Sequence, residues 1–306
     1  MVHLDLLHHV RSALLADDWF GLDPGTQSDI YEVIIGYALQ TPYLMHEFLA
    51  LSALHLSIVR PQQRSFFRYQ ATQLQTSALS LFDASSNDTS ITSIAARFIF
   101  SSILGNHVLH ETLTFRPDDF GLFLDKFVSY LRLARGIRLQ TQEGNWRSIL
   151  ETELRPLLEQ GTRLPPENSA SAPECETLET LLKSSDLGPS SIQVYQQAIN
   201  QLKALFQLHR SRDHADIQCC KTLMLSWPVT IPMEFADLIM QRRPEALAIL
   251  AHYAGLLHQV RHIWIVGDGG QYMIDSITDH LGAYWQPWLV WPHSLNSLTQ
   301  TPVLLN

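Results

Sequence analysis

Hydrophobic residues recur with a helical period from one end of the chain to the other. In the segment that opens at Thr41-Pro42, the residues Leu44, Met45, Phe48, Leu49, Leu51, Ser52 and Leu56 fall mainly on one wide face. Thr41 is a good N-cap, and Pro42 takes the first helical position, where its missing N–H costs nothing. Pro61 ends that helix. The run Gln62–Phe82, with Phe66, Tyr69, Ala71, Leu74, Ala78 and Leu81 apolar, predicts a second helix closed by the polar cluster Asp83–Thr89. The two are expected to form an antiparallel pair. Further helices are predicted at Ser90–His107, Asp118–Arg135, Trp146–Leu158, Ile192–Arg210, Pro232–Met240, Pro244–His262 and Gln271–Leu281. In the Pro244 helix, Ala246, Ile249, Leu250, Tyr253, Leu257 and Val260 keep close to a 3.6 period. No run alternates convincingly. Ile263–Val266 has the composition of a strand but no partner, so the fold class is all-α, an irregular multi-helix bundle.

One stretch has little to bury. Thr162–Glu176, TRLPPENSASAPECE, is rich in Pro, Ser and acid and predicts a long central surface loop. The helices on either side are too apolar to stand apart, so residues 1–306 are read as a single helical domain carrying this insertion, without internal repeats.

Composition narrows the function. A chain of 306 residues with 46% hydrophobic content can bury a large core. Lys and Arg total 21 against 30 Asp and Glu, a formal charge of -9. That balance argues against direct DNA binding, which is dominated by cations that displace counterions. Three cysteines, two of them adjacent at Cys219 and Cys220, give neither a disulfide framework nor a C-x-x-C metal spacing and fit a reducing compartment. The start, MVHLDLLHHVRSALLADDW, reads as an amphipathic helix because Asp5, its histidines and Arg11 interrupt the core a signal peptide would need. Glu47, His55, Glu245 and His252 break the most apolar helices before they reach the ~18 residues of a membrane span, so a soluble chain without membrane insertion is expected.

Several of these segments resemble landmarks of a known family. FLALSALHLSIV at Phe48–Val59 and RRPEALAILAHYAGLLHQV at Arg242–Val260 resemble signature helices of the fungal-specific transcription factor domain, the regulatory half of zinc-cluster activators of the sterol-uptake-control type. HLDLLHHV at His3–Val10, FLDKFVSYLRLARGI at Phe123–Ile137, SWPVTIPMEFADLI at Ser226–Ile239 and YWQPWLVWP at Tyr284–Pro292 resemble further landmarks in the family's order. The resemblance implies an all-helical domain that senses a hydrophobic small molecule, sterol being the best-known ligand class, and a tendency to self-associate. Two departures stand out. The family's N-terminal zinc cluster uses six cysteines, whereas the first cysteine here is Cys175; and where relatives carry Trp-x-x-Gly-Trp, this chain has Trp264 and Gly267 followed by Asp268, an acid in place of an aromatic.

Candidate ligand contacts gather near the C-terminus. Four of the seven tryptophans, Trp264, Trp285, Trp288 and Trp291, lie there with Tyr272, Tyr284 and Met273. Aromatic rings line pockets for apolar, ring-shaped ligands, though they also cap cores. The residues read as ligand-binding are Tyr253, Leu257, Trp264, Tyr272, Met273, Trp285 and Trp288.

Other constellations are weaker. His258 and His262 have the i, i+4 spacing of two zinc ligands, but without a firm third ligand they read as helix-end histidines at the negative pole of the dipole. His209, His214, Cys219 and Cys220 are irregularly spaced. No metal and no cofactor is expected. His107, His110, Glu111, Asp118 and Asp119 could do acid and base work around a pocket, yet Asp118 and Asp119 read better as first-turn acids of a helix opened by Pro117. Gly267, Asp268, Gly269 and Gly270 read as a tight turn, since no strand precedes them and no Lys follows. Nucleophile and dinucleotide motifs are absent.

These readings converge on a fungal transcription regulator, or regulator-like protein, that senses a sterol-like molecule. Such a chain would act in the nucleus, shuttling from the cytoplasm, as a homodimer or paired with a full-length DNA-binding regulator. The alternative is a small-molecule enzyme or carrier of fungal secondary metabolism recruited from the same fold. The absence of catalytic motifs leans against an enzyme.

Overall fold

The structure, a computed structural model, describes residues 2–14, 24–84, 90–140, 143–159, 172–210, 224–225 and 227–298. Every regular element among them is helical, so the all-α expectation holds. The chain divides into two compact units, each assembled from two stretches of sequence: Met1–Val108 with Gly136–Arg163, and Leu109–Arg135 with Leu164–Asn306.

The first unit holds α1 (Val2–His9), α2 (Pro24–Gln40), α3 (Pro42–Val59), α4 (Arg64–Ala84) and the first part of α5 (Ile91–Leu113). α3 is its axis. Tyr43, Leu44, Glu47 to Leu54, Leu56 and Ser57 are all buried, a band wider than one stripe, because α1, α2 and α4 cover it from different sides. The Ser52 hydroxyl donates to the Leu6 carbonyl at 2.9 Å and ties α3 to α1. Thr41 starts α3 through its carbonyl, which accepts from the amides of Leu44 and Met45; its side chain makes no capping bond. α3 is long and apolar enough to cross a membrane by length and composition, but 67% of it is buried within the fold. A turn at Pro61–Gln63 returns the chain as α4, which lies along α3 as the expected hairpin.

One predicted helix is two. Trp146–Leu158 breaks into α7 (Glu143–Leu150) and α8 (Arg155–Glu159). Pro156 has no N–H for the Thr152 carbonyl, so the helix cannot run through, and that carbonyl accepts instead from the Arg155 amide at 3.2 Å.

In the second unit, α6 (Phe120–Gln140, of which residues to Arg135 belong here), α9 (Glu176–Ser184), α10 (Pro189–His209), α11 (Met233–Met240), α13 (Gly269–Leu281) and α14 (Val290–Leu298) accompany α12 (Pro244–Gln259). The α12 pattern predicts one apolar stripe, but every residue from Ala246 to His258 is buried. Small residues make this possible, since Ala248, Ala251, Ala254 and Gly255 let neighbours approach on the remaining sides. Arg242, at φ 54, holds a left-handed conformation that costs a non-glycine residue ~1 kcal/mol or more. Its guanidinium offsets this by bonding Asp125 at 2.6 Å and the Gly121 carbonyl at 3.1 Å.

Most of the predicted loop at 162–176 lies outside the described residues. Its end is packed: Pro173–Cys175 form a 3-10 turn and Cys175 is fully buried. Ile263–Val266 is a turn, with the amides of Val266 and Gly267 both bonded to the Ile263 carbonyl, and Gly267 takes φ 50.

Candidate functional site

The seven residues read from the sequence as ligand contacts all belong to the second unit, where they fall into separate neighbourhoods. Tyr253, on α12, is fully buried. Its ring stacks on Trp227 at 4.3 Å and its hydroxyl donates to the Met224 carbonyl at 3.0 Å. Burial pushes that phenol well above its ordinary pKa. Leu257 and Met273 are also fully buried. These three act as core.

Trp264 is half-buried and tilts against His110 at 5.2 Å, while His110 Nδ1 lies 3.1 Å from the Ile265 carbonyl. Tyr272 sets its ring edge-on to Phe123 at 5.1 Å and carries the Arg116 guanidinium over its face at 4.1 Å. Arg116 in turn pairs with the exposed Asp268 at 2.9 Å. Asp268 thus anchors a cation stacked on a neighbouring ring.

Trp285 and Trp288 do come together. They lie on the 3-10 turn Ala283–Trp288, with ring centroids 5.1 Å apart, and Tyr284 joins them at 6.1 and 5.7 Å. Gly282, at φ 73, lets the chain leave α13 and enter this turn. Both tryptophans are half-buried and Tyr284 is 77% exposed, so this is an aromatic surface rather than an enclosed cavity. Among the described residues, no ring contact joins this trio to Tyr253, Trp264 or Tyr272.

Trp291, outside the predicted set, is half-buried and packs on the core. It meets Phe206 edge-on at 4.7 Å and stacks on His252 at 5.7 Å, above Gly255, where a Cβ would lie 2.3 Å from its ring. His252 is fully enclosed with Nδ1 2.9 Å from the Ala248 carbonyl, and burial pulls its pKa down to about 4.

The histidine and acid candidates do not converge. His107 is bonded to Glu47 in the first unit, Nδ1 to Oε1 at 2.9 Å, with both side chains sealed from solvent. Glu111 is half-buried, and Asp118 is exposed. Asp119 accepts the Gly121 amide at 2.8 Å and so serves the start of α6 from just ahead of it; the first-turn place expected for Asp118 and Asp119 in a helix opened by Pro117 is not taken, because α6 begins at Phe120. His258 is buried and His262 exposed, so the pair shares no common pocket; burial lowers the His258 pKa. His209 is half-buried, and His214, Cys219 and Cys220 lie outside the described residues. Among the described residues no three His, Cys, Asp or Glu side chains are placed to hold a metal ion.

Gly269 and Gly270 open α13. They belong to the predicted Gly-Asp-Gly-Gly turn, and they do more than turn, because Gly270 lets α13 meet α12 main chain to main chain and Gly269 lets it meet the Leu113 side chain at the end of α5. The periodicity of the sequence carries no sign of that approach. An open depression of about 510 Å3, lined by Gln40, Thr41, Tyr43, Leu81, Ser90 and Ser93 among others, occurs in the first unit and includes none of the seven candidates.

No family model, curated protein or solved structure matches this chain.

Proposed function

We propose that this chain is a regulator-like helical domain of the fungal type, which responds to an apolar, ring-bearing, sterol-like small molecule and acts through a protein partner. The observation that carries the reading is the Tyr284–Trp285–Trp288 group. Three large rings held together on a short turn, one of them 77% exposed, offer a stacking surface for a flat apolar ligand. Trp264 and Tyr272, with its stacked Arg116, are further ligand-facing candidates of the same unit; Tyr253, Leu257 and Met273 act by shaping the core beneath.

The mechanism is population shift. A ligand that stacks on the trio in only one arrangement of the Ala283–Trp288 turn biases α13 and α14, which flank it, toward that arrangement. A chain with a charge of -9 leaves contact with DNA to its partner, either a second copy already joined to a DNA reader or a full-length regulator. Such a partner draws it to the nucleus.

Titration of the intact protein with a fluorescent sterol tests the reading. Saturable binding is expected, weakened about three- to tenfold by Trp285→Ala and by Trp288→Ala, with the helical circular dichroism unchanged. No saturable binding, or the same affinity in both variants, overturns it.

A further inference from the structure

α4 has two faces at helical spacing. Phe67, Ala71, Leu74 and Ala78 are buried in the first unit. On the opposite side Ser65, Tyr69, Thr72, Thr76, Leu79 and Asp83 recur in alternating steps of four and three, and every one is exposed, Tyr69 to 62% and Leu79 to 43%. No charged residue occurs between Arg68 and Asp83. A solvent-facing helix is normally rich in charge, whereas the centre of an interface is depleted of it. The hydroxyls are turned inward as well: Thr72 donates to the Arg68 carbonyl at 3.1 Å, Thr76 to Thr72 at 2.8 Å and Ser77 to Gln73 at 3.0 Å. The two threonine hydroxyls at the middle of the face are thus already engaged by their own helix.

The charges at its two ends are set against their own helix. Arg64 lies in the first turn of α4, where the dipole is positive, and Asp83 in the last turn, where it is negative, so each disfavours the isolated helix by a few tenths of a kcal/mol. Neither they nor Arg68 form an ion pair among the described residues. The 4-3 spacing is that of a heptad seam. When two such helices run antiparallel, Tyr69 meets the partner's Leu79, Thr72 meets the partner's Thr76, and Asp83 meets the partner's Ser65 between the partner's Arg64 and the partner's Arg68. Both misplaced ends are then paired.

Other occupants fit less well. An anionic bilayer would gain ~1 kcal/mol from each of two arginines while meeting a chain of net charge -9. An acidic peptide would satisfy the arginines and leave Asp83 facing like charge. We infer that α4 is a self-association face, on which two copies of this chain pair antiparallel about a two-fold axis. This gives a surface to the pairing in the functional reading above and rests on that reading only for its purpose. Its test needs no ligand, so sterol binding and pairing can fail separately.

One helix face is small for an interface, and association is expected to be weak, visible by sedimentation between roughly 1 and 200 µM. Asp83→Arg alone, and Arg64→Asp with Arg68→Asp, are each expected to weaken pairing by about tenfold or more while leaving helix content unchanged. An equimolar mixture of the two variants regains pairing near the original strength, because both contacts are again opposite in sign. A monomer throughout the range, a dimer indifferent to both reversals, or a mixture that stays apart overturns the inference.

Discussion

A Cβ on Gly270 would lie 2.4 Å from the backbone nitrogen of His258, which makes the meeting of α13 with α12 a contact of main chain on main chain. Neither backbone can move aside without displacing a fully buried helix. Gly270→Ala is expected to cost about 3 kcal/mol, the upper range for overpacking. Gly36, inside α2, has open space where its Cβ would go. There the same substitution should gain ~0.5–1 kcal/mol through helix propensity. Urea denaturation of the two variants checks both signs.

Glu47 and His107 form a sealed hydrogen-bonded contact within the first unit, with side chains 0% and 1% exposed. Removing either partner strands a buried polar group, so Glu47→Leu or His107→Leu alone should cost about 1–3 kcal/mol. The double Glu47→Leu/His107→Leu variant is expected to recover most of that loss. A double-mutant cycle reads the coupling directly, and strictly additive losses would refute it.

Acid should weaken the second unit through His252. Its pKa is about 4 in the fold against an ordinary 6.5, so on acidification the unfolded chain binds a proton before the folded one does. Stability is therefore full above pH 6.5, falls as pH drops, and has lost about 3 kcal/mol on this account by pH 4. His252→Leu should flatten the profile by about that amount. Burial shifts His9, His46, His209 and His258 in the same direction, so a residual slope remains in the variant.

The candidate ligand residues should separate into two thermodynamic classes. Tyr253→Ala removes a stacked, fully buried ring and is expected to cost about 3–5 kcal/mol. Trp285→Ala and Trp288→Ala, on the half-exposed turn, should cost less than about 2 kcal/mol each. Thermal melts of the three variants distinguish core from surface without any ligand.

Helical period made the fold class legible, and it located α3, α4, α10, α11, α12 and α13 to within a few residues, while α5 runs six residues past its expected end at His107. It misassigned the surface of α4. Phe66, Tyr69 and Leu81 were grouped by apolarity with Ala71 and Leu74, yet they are 46%, 62% and 38% exposed, because Phe67 rather than Phe66 continues the buried stripe. α2, with Gly36 and a scatter of polar residues, and the short α9 and α14 lack a run long enough to register as helices. For the candidate site, clustering of aromatic residues in sequence matched contact only where the residues share one turn, as Trp285 and Trp288 do. Partners distant in sequence, such as Trp227 for Tyr253, Phe123 for Tyr272 and Glu47 for His107, follow from how helices cross, which no local pattern encodes.

The order of residues along each unit has a consequence for biosynthesis. Leu109–Arg135 leaves the ribosome before Gly136–Arg163, yet packs with chain that begins at Leu164 and with α12, over a hundred residues later. Until then Phe123, Phe127 and Leu131 on α6 must wait with their apolar face uncovered. The second unit is thus completed only once the later chain is made, and no single cut in the gene separates the two units cleanly, because each has one stretch set inside the sequence span of the other.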